Sequence, residues 1–400
     1  MRQIRAEAHP APWPLLDLDP AAMRAAGHEP VPFRQFILKV HSRCNLACSY
    51  CYVYEMADQA WRQLPKRMSG AVARLAVERI AEHAGRHRLP SVDIILHGGE
   101  PLLAGAAWLA ELAGSLRAQV PAQVNLAIQT NGTMLSRPVL ETLKDLGVSV
   151  GVSLDGDADA TGRHRRYADG RNSFGAVADG LRLLGSPEFR DCFGGILCTV
   201  DVRNDPVATY EALLAFSPPA LDLLLPHANW SSPPPGSGYA DWLIAVFERW
   251  YRAPRQETRI RLFGELIQLV LGQPGAVEGL GLLPSTLVVV DTDGSVKQLD
   301  SLSSAYAGAA DTGLHVASNS FDDALGHPTT VARQIGAAAL SGQCRSCEVM
   351  EICGGGLYPH RYRAGSGFRN ASAYCDDLFR LITHVRGRIR SEVQQVLPPR

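Results

Sequence analysis

The chain alternates β-rich and helical runs, and this alternation constrains its fold more than any other feature. Six short β-rich, apolar runs recur, and each is followed by a pattern with apolar residues three and four positions apart. The predicted strands are Phe36–Val40, Val92–Leu96, Val124–Gln129, Val148–Leu154, Gly195–Val200 and Leu221–Pro226. The predicted helices lie near residues 70–86, 105–119, 136–146, 174–185, 206–216 and 239–252.

Regular alternation with near-continuous apolar strands predicts an α/β fold with a parallel sheet and helices outside it. Both an open doubly wound sheet and a partial barrel fit this description, and we favour a partial (β/α)6 TIM-like barrel. In such a barrel the loops that leave the carboxyl ends of the strands build the active site. Chemically active residues are therefore expected directly after each apolar run.

The sequence divides into four predicted segments. Residues 1–32 form an N-terminal extension, and the barrel occupies residues 33–255. A helical bridge follows at residues 256–285, with a helical run at Arg259–Leu271. A hairpin pattern with Asp293-Gly294 at its turn then opens a small C-terminal domain at residues 286–400. This last segment is rich in cysteines and loops, so it is expected to be held by metal rather than by a large core.

The charges of the chain are nearly balanced, with 39 basic and 40 acidic residues and a net charge of -1. This balance gives no electrostatic reason to expect a nucleic acid or an anionic membrane as a partner. The first residues lack the apolar segment of a secretion signal, and the apolar stretches are shorter than the roughly 20 residues that span a bilayer. We therefore expect a cytoplasmic protein without a membrane span.

The nine cysteines are poor candidates for disulfides, because the cytoplasm keeps thiols reduced, and the grouping of seven of them indicates metal ligation. Seven of them fall in two tight groups, which are Cys44, Cys48 and Cys51, and then Cys344, Cys347, Cys353 and Cys375. The other two, Cys192 and Cys198, lie just before and on the fifth predicted strand without metal-ligand spacing. We interpret this pair as buried packing thiols.

The first cysteine group follows the first predicted strand in the spacing C-x3-C-x2-C. Three thiolates on one loop leave one iron of a [4Fe-4S] cluster open for another ligand, whereas four cysteines would close the cluster. A three-cysteine zinc loop or a set of buried thiols is the alternative. The position directly after a strand favours the open cluster.

Polar or glycine-rich sequences stand at the ends of the next three strands as well. They are His97-Gly98-Gly99-Glu100-Pro101, Gln129-Thr130-Asn131-Gly132 and Ser153-Leu154-Asp155-Gly156. Glycines allow the backbone to approach a ligand closely, and Glu100 supplies a carboxylate. Taken singly, each sequence also fits an ordinary turn, and the basic run at residues 163–166 fits a solvated loop. Their order along successive strand ends favours one shared site.

The cysteine spacing, with an aromatic residue before the third cysteine, resembles that of the radical S-adenosylmethionine superfamily. The resemblance implies that the first cysteine group binds the [4Fe-4S] cluster that cleaves S-adenosylmethionine to a hydrogen-abstracting radical. The Gly98–Pro101 motif would hold the methionine amino group, and Ser153 and Arg165 would contact its carboxylate. The cofactor-binding residues implied in this way are Tyr50, Gly98, Gly99, Glu100, Pro101, Gln129, Asn131, Ser153 and Arg165.

The second cysteine group supplies four thiolates, enough to close an auxiliary [4Fe-4S] cluster, with zinc as the alternative. Its spacing resembles the SPASM extension of peptide-modifying members of the superfamily. That extension commonly carries an inner cluster too, whose ligand positions correspond here to Leu299 and Leu357. We therefore predict one auxiliary cluster rather than two.

Asp300 matches the position at which sulfatase-maturing relatives carry a catalytic base. The resemblance implies that Asp300 is this base. The alternatives are a purely structural role in the hairpin, or one of the nearby carboxylates, Asp291 and Asp293.

Three longer strings resemble the cyclophane-forming maturases of ribosomally synthesised peptides, namely residues 51–62, Leu224–His227 and Asp291–Ser295. The resemblance implies an enzyme that joins an aromatic ring carbon to the β-carbon of a residue two positions later. Its expected partners are a precursor peptide with a leader and an external electron donor such as flavodoxin or ferredoxin. The alternatives are a thioether-forming maturase, a sulfatase-maturing enzyme and a non-catalytic iron–sulfur protein.

Overall fold

A computed structural model of the chain describes residues 19–275 and 278–396. Residues 1–18 of the predicted N-terminal extension, two residues of the bridge and the last four residues therefore lie outside the described part. The strands are β1 Gln35–His41, β2 Ser91–Gly98, β3 Gln123–Thr130, β4 Val148–Ser153, β5 Phe193–Thr199, β6 Ala220–Leu224, β7 Arg259–Ile260, β8 Leu287–Val290, β9 Ser295–Lys297 and β10 Asp311–His315.

The α-helices follow the strands of the barrel and then fill the C-terminal segment. They are α1 Pro20–Ala25, α2 Gly70–Arg86, α3 Ala106–Gln119, α4 Arg137–Asp145, α5 Ala158–His164, α6 Phe174–Leu184, α7 Pro206–Leu214, α8 Tyr239–Tyr251, α9 Arg261–Val270, α10 Phe321–Leu325, α11 Pro328–Ala332, α12 Gly342–Arg345, α13 Met350–Cys353 and α14 Cys375–Val396. Short 3-10 helices lie at Ala60–Arg62, Pro101–Ala104, Arg190–Cys192, Asp300–Ser304, Gly336–Ala339 and Tyr358–Arg361.

Strands β1 to β7 run parallel and neighbour one another in chain order. Because right-handed crossovers all turn the same way, an order without reversal places the connecting helices on one face of the sheet. A twisted sheet covered on one face curls toward a barrel, and its carboxyl strand ends converge. The predicted partial barrel is therefore confirmed, and each of its six predicted strands and six predicted helices is present with ends within two residues of those predicted.

The C-terminal segment extends the sheet of the barrel. Strand β8 pairs in parallel with β1, with Val290 opposite Leu38, and β9 and β10 continue the sheet as antiparallel strands. The predicted hairpin is present, and Gly294 forms its turn with a φ of +94°, which glycine adopts without strain. The boundary at residue 286 stays a prediction, and the strand that follows it is hydrogen-bonded to the barrel.

The largest part of the core lies between the sheet and its helices as one apolar cluster, beside three smaller clusters. Leu38 on β1, Val152 on β4 and Ile80 on α2 are fully buried in it. Cys192 and Cys198 belong to the same cluster, which confirms that they are packing thiols. Within the described ranges, no helix combines the length and the apolar character needed to cross a membrane.

Candidate functional site

A cavity of about 190 Å³ lies where the barrel strands end. Ten of the predicted site residues line it, namely Cys44, Cys48, Tyr50, Cys51, Gly98, Gly99, Gln129, Asn131, Ser153 and Arg165. The predicted residues Glu100, Pro101 and Asp300 are not among the described residues that line it. The sheet order therefore brings together residues from four successive strand ends, as the sequence pattern predicts.

The first cysteine group forms a loop directly after β1, and all three thiols border this cavity. The sulfur of Cys44 accepts hydrogen bonds from the Leu46 main-chain N–H at 3.3 Å and from Asn131 Nδ2 at 3.5 Å. Burial raises the pKa of Cys44 and of Cys48 to about 11, so the thiols stay protonated unless a cation replaces the proton. Three partly buried thiols at one cavity therefore fit a [4Fe-4S] cluster with one open iron.

Two glycines let the end of β2 approach the cysteine loop. Gly98 has a φ of +153°, and a Cβ there would lie 2.2 Å from the carbonyl oxygen of His41. A Cβ on Gly99 would lie 2.5 Å from the carbonyl oxygen of Arg43, and the Gly99 N–H donates to the His41 carbonyl at 2.8 Å. The glycines are needed for this close approach, which holds the cysteine loop against β2.

Glu100 is a fully buried carboxylate that joins two strand ends. It accepts hydrogen bonds from the Thr130 hydroxyl at 2.7 Å, from the Asn131 main-chain N–H at 2.8 Å and from a main-chain N–H of the following turn. Its direct contact with a cofactor stays a prediction, and its visible role is to position Asn131. The next pair of strand ends is joined in the same way, since Gln129 Nε2 donates to Ser153 Oγ at 3.0 Å.

Arg165 is a buried cation beside the thiols. Its guanidinium donates to the Tyr50 hydroxyl at 2.8 Å, and Tyr50 donates to Asp155 Oδ2 at 2.5 Å. Burial lowers the pKa of Arg165, but Tyr50, Cys48 and Asp155 raise it by more. The guanidinium therefore stays charged. Its buried Nε has no hydrogen-bond partner among the described residues. A buried positive charge with an unused donor at the cavity wall fits a carboxylate ligand such as that of S-adenosylmethionine.

Asp300 lies behind the cavity wall, within a group of polar side chains from β1, β2 and the cysteine loop. The Tyr52 hydroxyl donates to Asp300 Oδ2 at 2.9 Å, and Lys39 Nζ lies 3.6 Å from the same oxygen. Burial raises the pKa of Asp300, but Lys39 and His97 outweigh it, so the net shift is downward and the carboxylate is ionised. Tyr52 lines the cavity and separates Asp300 from it.

The two competing carboxylates have other roles. Asp291 is 1% exposed and lies 3.3 Å from Lys297 Nζ. Asp293 accepts hydrogen bonds from the main-chain N–H and the hydroxyl of Ser295 within the hairpin turn. None of the three carboxylates is among the described residues that line the cavity, but Asp300 is hydrogen-bonded to the cavity residue Tyr52, so the geometry favours Asp300.

Sequence reasoning missed four polar residues of this site, namely Lys39, Tyr52, His97 and His227. His227 follows β6, lines the cavity with His97, and places its ring 4.8 Å from that of Tyr52. Burial lowers the pKa of His227 to about 4, so the ring is neutral. A charged Lys39 within the apolar run of β1 was the signal that could have identified one of the four, because a buried lysine requires a partner.

The second cysteine group also surrounds one pocket. All four thiols, Cys344, Cys347, Cys353 and Cys375, line a cavity of about 50 Å³ together with apolar side chains. Burial raises the pKa of Cys375 to about 11. Four thiols around one small apolar space fit a closed [4Fe-4S] cluster. Zinc also binds four cysteines, so it stays the alternative.

The loop after Cys353 is held by a buried arginine. Gly354, Gly355 and Gly356 all have positive φ, and Arg361 donates to the main-chain carbonyl of each. Arg361 is 7% exposed, and Cys353 acts on it electrostatically. The arrangement fixes the third thiol of the pocket and places a positive charge near it.

Apolar residues occupy the two positions where an inner cluster would need cysteines. Leu299 packs against the apolar cluster that contains Leu302 and Phe368, and Leu357 lies against Gly279. Side chains of this kind offer no ligand atom. The single auxiliary cluster stays a prediction that this packing supports.

Comparison with known proteins identifies the domain. A model of the Radical SAM superfamily matches residues 38–209, which begin in β1 and end in α7. The chain is 24% identical over 275 residues to a cysteine-type anaerobic sulfatase-maturating enzyme of Clostridium novyi (strain NT), a match that covers 65% of this chain and 71% of that protein. It is 30% identical over 165 residues to a serine-type anaerobic sulfatase-maturating enzyme of Bacteroides thetaiotaomicron, a match that covers 40% of this chain and 39% of that protein.

Solved structures share the fold. The structure of native anSMEcpe with bound AdoMet superposes with a TM-score of 0.76 at 21% identity, over 89% of this chain and 98% of that chain. Streptococcus suis SuiB bound to precursor peptide SuiA superposes with a TM-score of 0.57 at 12% identity, over 89% of this chain and 78% of that chain. The sheet order and the cysteine loop agree with this match, so residues 38–209 form a domain of the radical SAM superfamily, whose members use a [4Fe-4S] cluster and S-adenosylmethionine.

Proposed function

We propose that this chain is a radical SAM enzyme that crosslinks a ribosomally synthesised precursor peptide. The crosslink would join an aromatic ring carbon to the β-carbon of a residue two positions later and close a three-residue cyclophane. The observation that carries the proposal is a single cavity that has three thiols on one wall and Tyr52 on another, with Asp300 hydrogen-bonded to Tyr52 behind that second wall. Such a cavity can hold a radical-generating cofactor beside a group that accepts a proton.

The first wall would hold the cofactors. Cys44, Cys48 and Cys51 would bind the cluster, and Arg165 would pair with the carboxylate of S-adenosylmethionine. When bound, these cofactors supply an electron and a hydrogen-abstracting adenosyl radical. The chain itself orients the reactants at the strand ends and excludes water from them.

The second wall would take up the proton that the aromatic ring must lose after the new bond forms. Tyr52 reaches the cavity and donates to Asp300, and Lys39 keeps that carboxylate ionised. Asp300 can therefore accept the ring proton through the Tyr52 hydroxyl, within the reach that general base catalysis requires. The ring must also lose one electron, and the four thiols of the second pocket would hold the cluster that receives it.

Maturation of a sulfatase is the second candidate function. The curated relatives from Clostridium novyi and Bacteroides thetaiotaomicron favour it, since both are named for that activity. Leu299 and Leu357 argue against it, because the resemblance to sulfatase-maturing enzymes implies cysteines at these inner-cluster positions. SuiB, which shares the fold, is bound to a precursor peptide, and this favours a peptide as the class of substrate.

Incubation with the peptide encoded beside the gene tests the proposal. Under anaerobic, reducing conditions with S-adenosylmethionine, we expect a product lighter by two hydrogens, and tandem mass spectrometry should show a ring across three residues that include an aromatic one. A crosslink through cysteine sulfur would instead show that the enzyme forms a thioether and would contradict the proposed cyclophane. An aldehyde formed on a sulfatase-derived peptide, with no change in the precursor peptide, would establish the second candidate instead.

A further inference from the structure

Helix α2 carries two histidines on the face that meets the C-terminal segment. His83 and His87 are four residues apart, so their side chains project from the same side of the helix. His83 is 2% exposed, whereas the side chain of His87 is 24% exposed. Both rings contact the carboxylate of Asp322 on α10.

Asp322 is held firmly by the residues on either side of it. The Ser320 hydroxyl accepts a hydrogen bond from the Asp323 N–H, and the Asp323 carboxylate accepts one from the Ser320 N–H. This pair of hydrogen bonds is a capping box at the start of α10. Phe321 is buried, with its ring 5.1 Å from that of Phe36. The carboxylate is therefore presented to the histidines by a fixed backbone.

The three side chains bring together three atoms of the kind that bind metals. His83 Nδ1 lies 2.9 Å and His87 Nε2 lies 2.7 Å from Asp322 Oδ1, and one ligand atom from each residue lies within 4.8 Å of the others. Zinc binds nitrogen and oxygen ligands at about 2.0–2.2 Å. Small rotations of the two partly exposed side chains would open enough room for an ion between these atoms.

We propose that His83, His87 and Asp322 bind a divalent transition-metal ion of the zinc type, at a site separate from both cysteine pockets. Imidazole and carboxylate suit such ions, and two histidines one helical turn apart recur in zinc sites. The ion links α2 of the barrel to α10 of the C-terminal segment, and solvent completes its coordination at the exposed side of the group.

The surroundings of the group suit a cation. Burial lowers the pKa of His83, so this ring is neutral and offers a lone pair. Arg86 Nε lies 2.9 Å from the second carboxylate oxygen, but its side chain is 67% exposed and can turn into solvent when an ion replaces it. The site does not depend on the proposed peptide chemistry.

Zinc K-edge X-ray absorption on the full chain tests this inference, after anaerobic cluster reconstitution and addition of one equivalent of Zn²⁺. We expect nitrogen and oxygen ligands without sulfur. His87→Ala and Asp322→Asn should each weaken zinc binding more than about 100-fold. Removal of a residue that only hydrogen-bonds a metal ligand already lowers metal affinity about 10–100-fold, and these two residues are proposed as ligands themselves. His384→Ala is the matched control, since His384 is also partly exposed and bound to a carboxylate, that of Glu248, and it should leave zinc affinity unchanged.

Zinc coordinated only by sulfur would overturn the inference, because the ion would then lie at the cysteines. Equal zinc affinity in the original chain and in His87→Ala would overturn it as well. Iron content of each variant reports whether the chain has folded, so lost zinc binding is distinguished from lost structure without measuring turnover.

Discussion

Asp300 is the residue on which the proposed proton transfer depends, and its substitution separates that step from radical formation. Asp300→Asn should lower the rate of crosslinking by about 100- to 10,000-fold, the usual contribution of a general base. Release of 5'-deoxyadenosine should stay close to that of the original chain, because the thiols and Arg165 are untouched. Both products are quantified in one chromatographic assay.

Two further variants control this comparison. Asp293→Asn removes a carboxylate from the same hairpin that is not among the described residues lining the cavity, and it should retain crosslinking. Tyr52→Phe keeps the Lys39–Asp300 ion pair and removes only the hydroxyl contact, so it should slow crosslinking without unfolding the chain. Full crosslinking by Asp300→Asn would exclude Asp300 as the base.

The ionisation of Asp300 also predicts a pH dependence. The pKa of Asp300 is lower in the folded chain than in the unfolded chain, where it is about 3.9. The ionised carboxylate therefore stabilises the fold at pH values above the unfolded pKa, and this stabilisation is lost as the pH falls through the folded pKa. Protonation of Asp300 should therefore produce no loss of crosslinking between about pH 6 and pH 8. The ratio of crosslinked peptide to 5'-deoxyadenosine, measured across that range, should be flat, and a fall toward pH 6 would point to a base with a raised pKa.

At the scale of single elements, the end of β2 is the most sensitive to added volume. Gly98→Ala would place a methyl group against the His41 carbonyl, so we expect a loss of about 1–3 kcal/mol in the free energy of unfolding. Cleavage of S-adenosylmethionine should fall as well, because the cysteine loop rests on this strand end. Gly114→Ala is the control, since no atom lies within 4 Å of the added methyl group, and in α3 it should add about 0.5–1 kcal/mol. Denaturant titration measures both changes.

The elements of the barrel could be predicted because each strand and helix has its own local pattern, and the order of parallel strands then brings their ends together. Gln129 and Ser153 were identified in this way from their positions at the ends of apolar runs. The contact between Lys39 and Asp300 could not be predicted from the sequence, because no local pattern specifies that β8 pairs with β1 in the sheet. The roles of His97 and His227 were missed for the same reason, since their partners, Asp300 and Tyr52, are distant from them in the sequence.

At the scale of the whole molecule, the two cysteine groups predict two independent clusters. The reconstituted chain should contain about eight irons, and Cys48→Ser and Cys344→Ser should each retain about four. Cys48→Ser should lose cleavage of S-adenosylmethionine, whereas Cys344→Ser should retain cleavage and lose crosslinking. Iron analysis with Mössbauer spectroscopy measures the clusters, and Cys192→Ser, which alters a core thiol, should keep both.

A different metal content would revise particular parts of this assignment. About twelve irons would require a third cluster and contradict the interpretation of Leu299 and Leu357. Zinc in place of iron at the second pocket would restore the zinc alternative for that group and remove the proposed electron acceptor.

The parallel pairing of β8 with β1 fixes the distance between the two halves of the chemistry. One strand leads into the cysteine loop, and its neighbour leads through the hairpin to Asp300, so the same ladder of main-chain hydrogen bonds sets both positions. Docking of separate bodies is not needed to align them. Loops that contribute no strand to this ladder, such as residues 231–238, which are not among the described residues that line the cavity, are therefore free to diverge while the reacting groups keep their spacing.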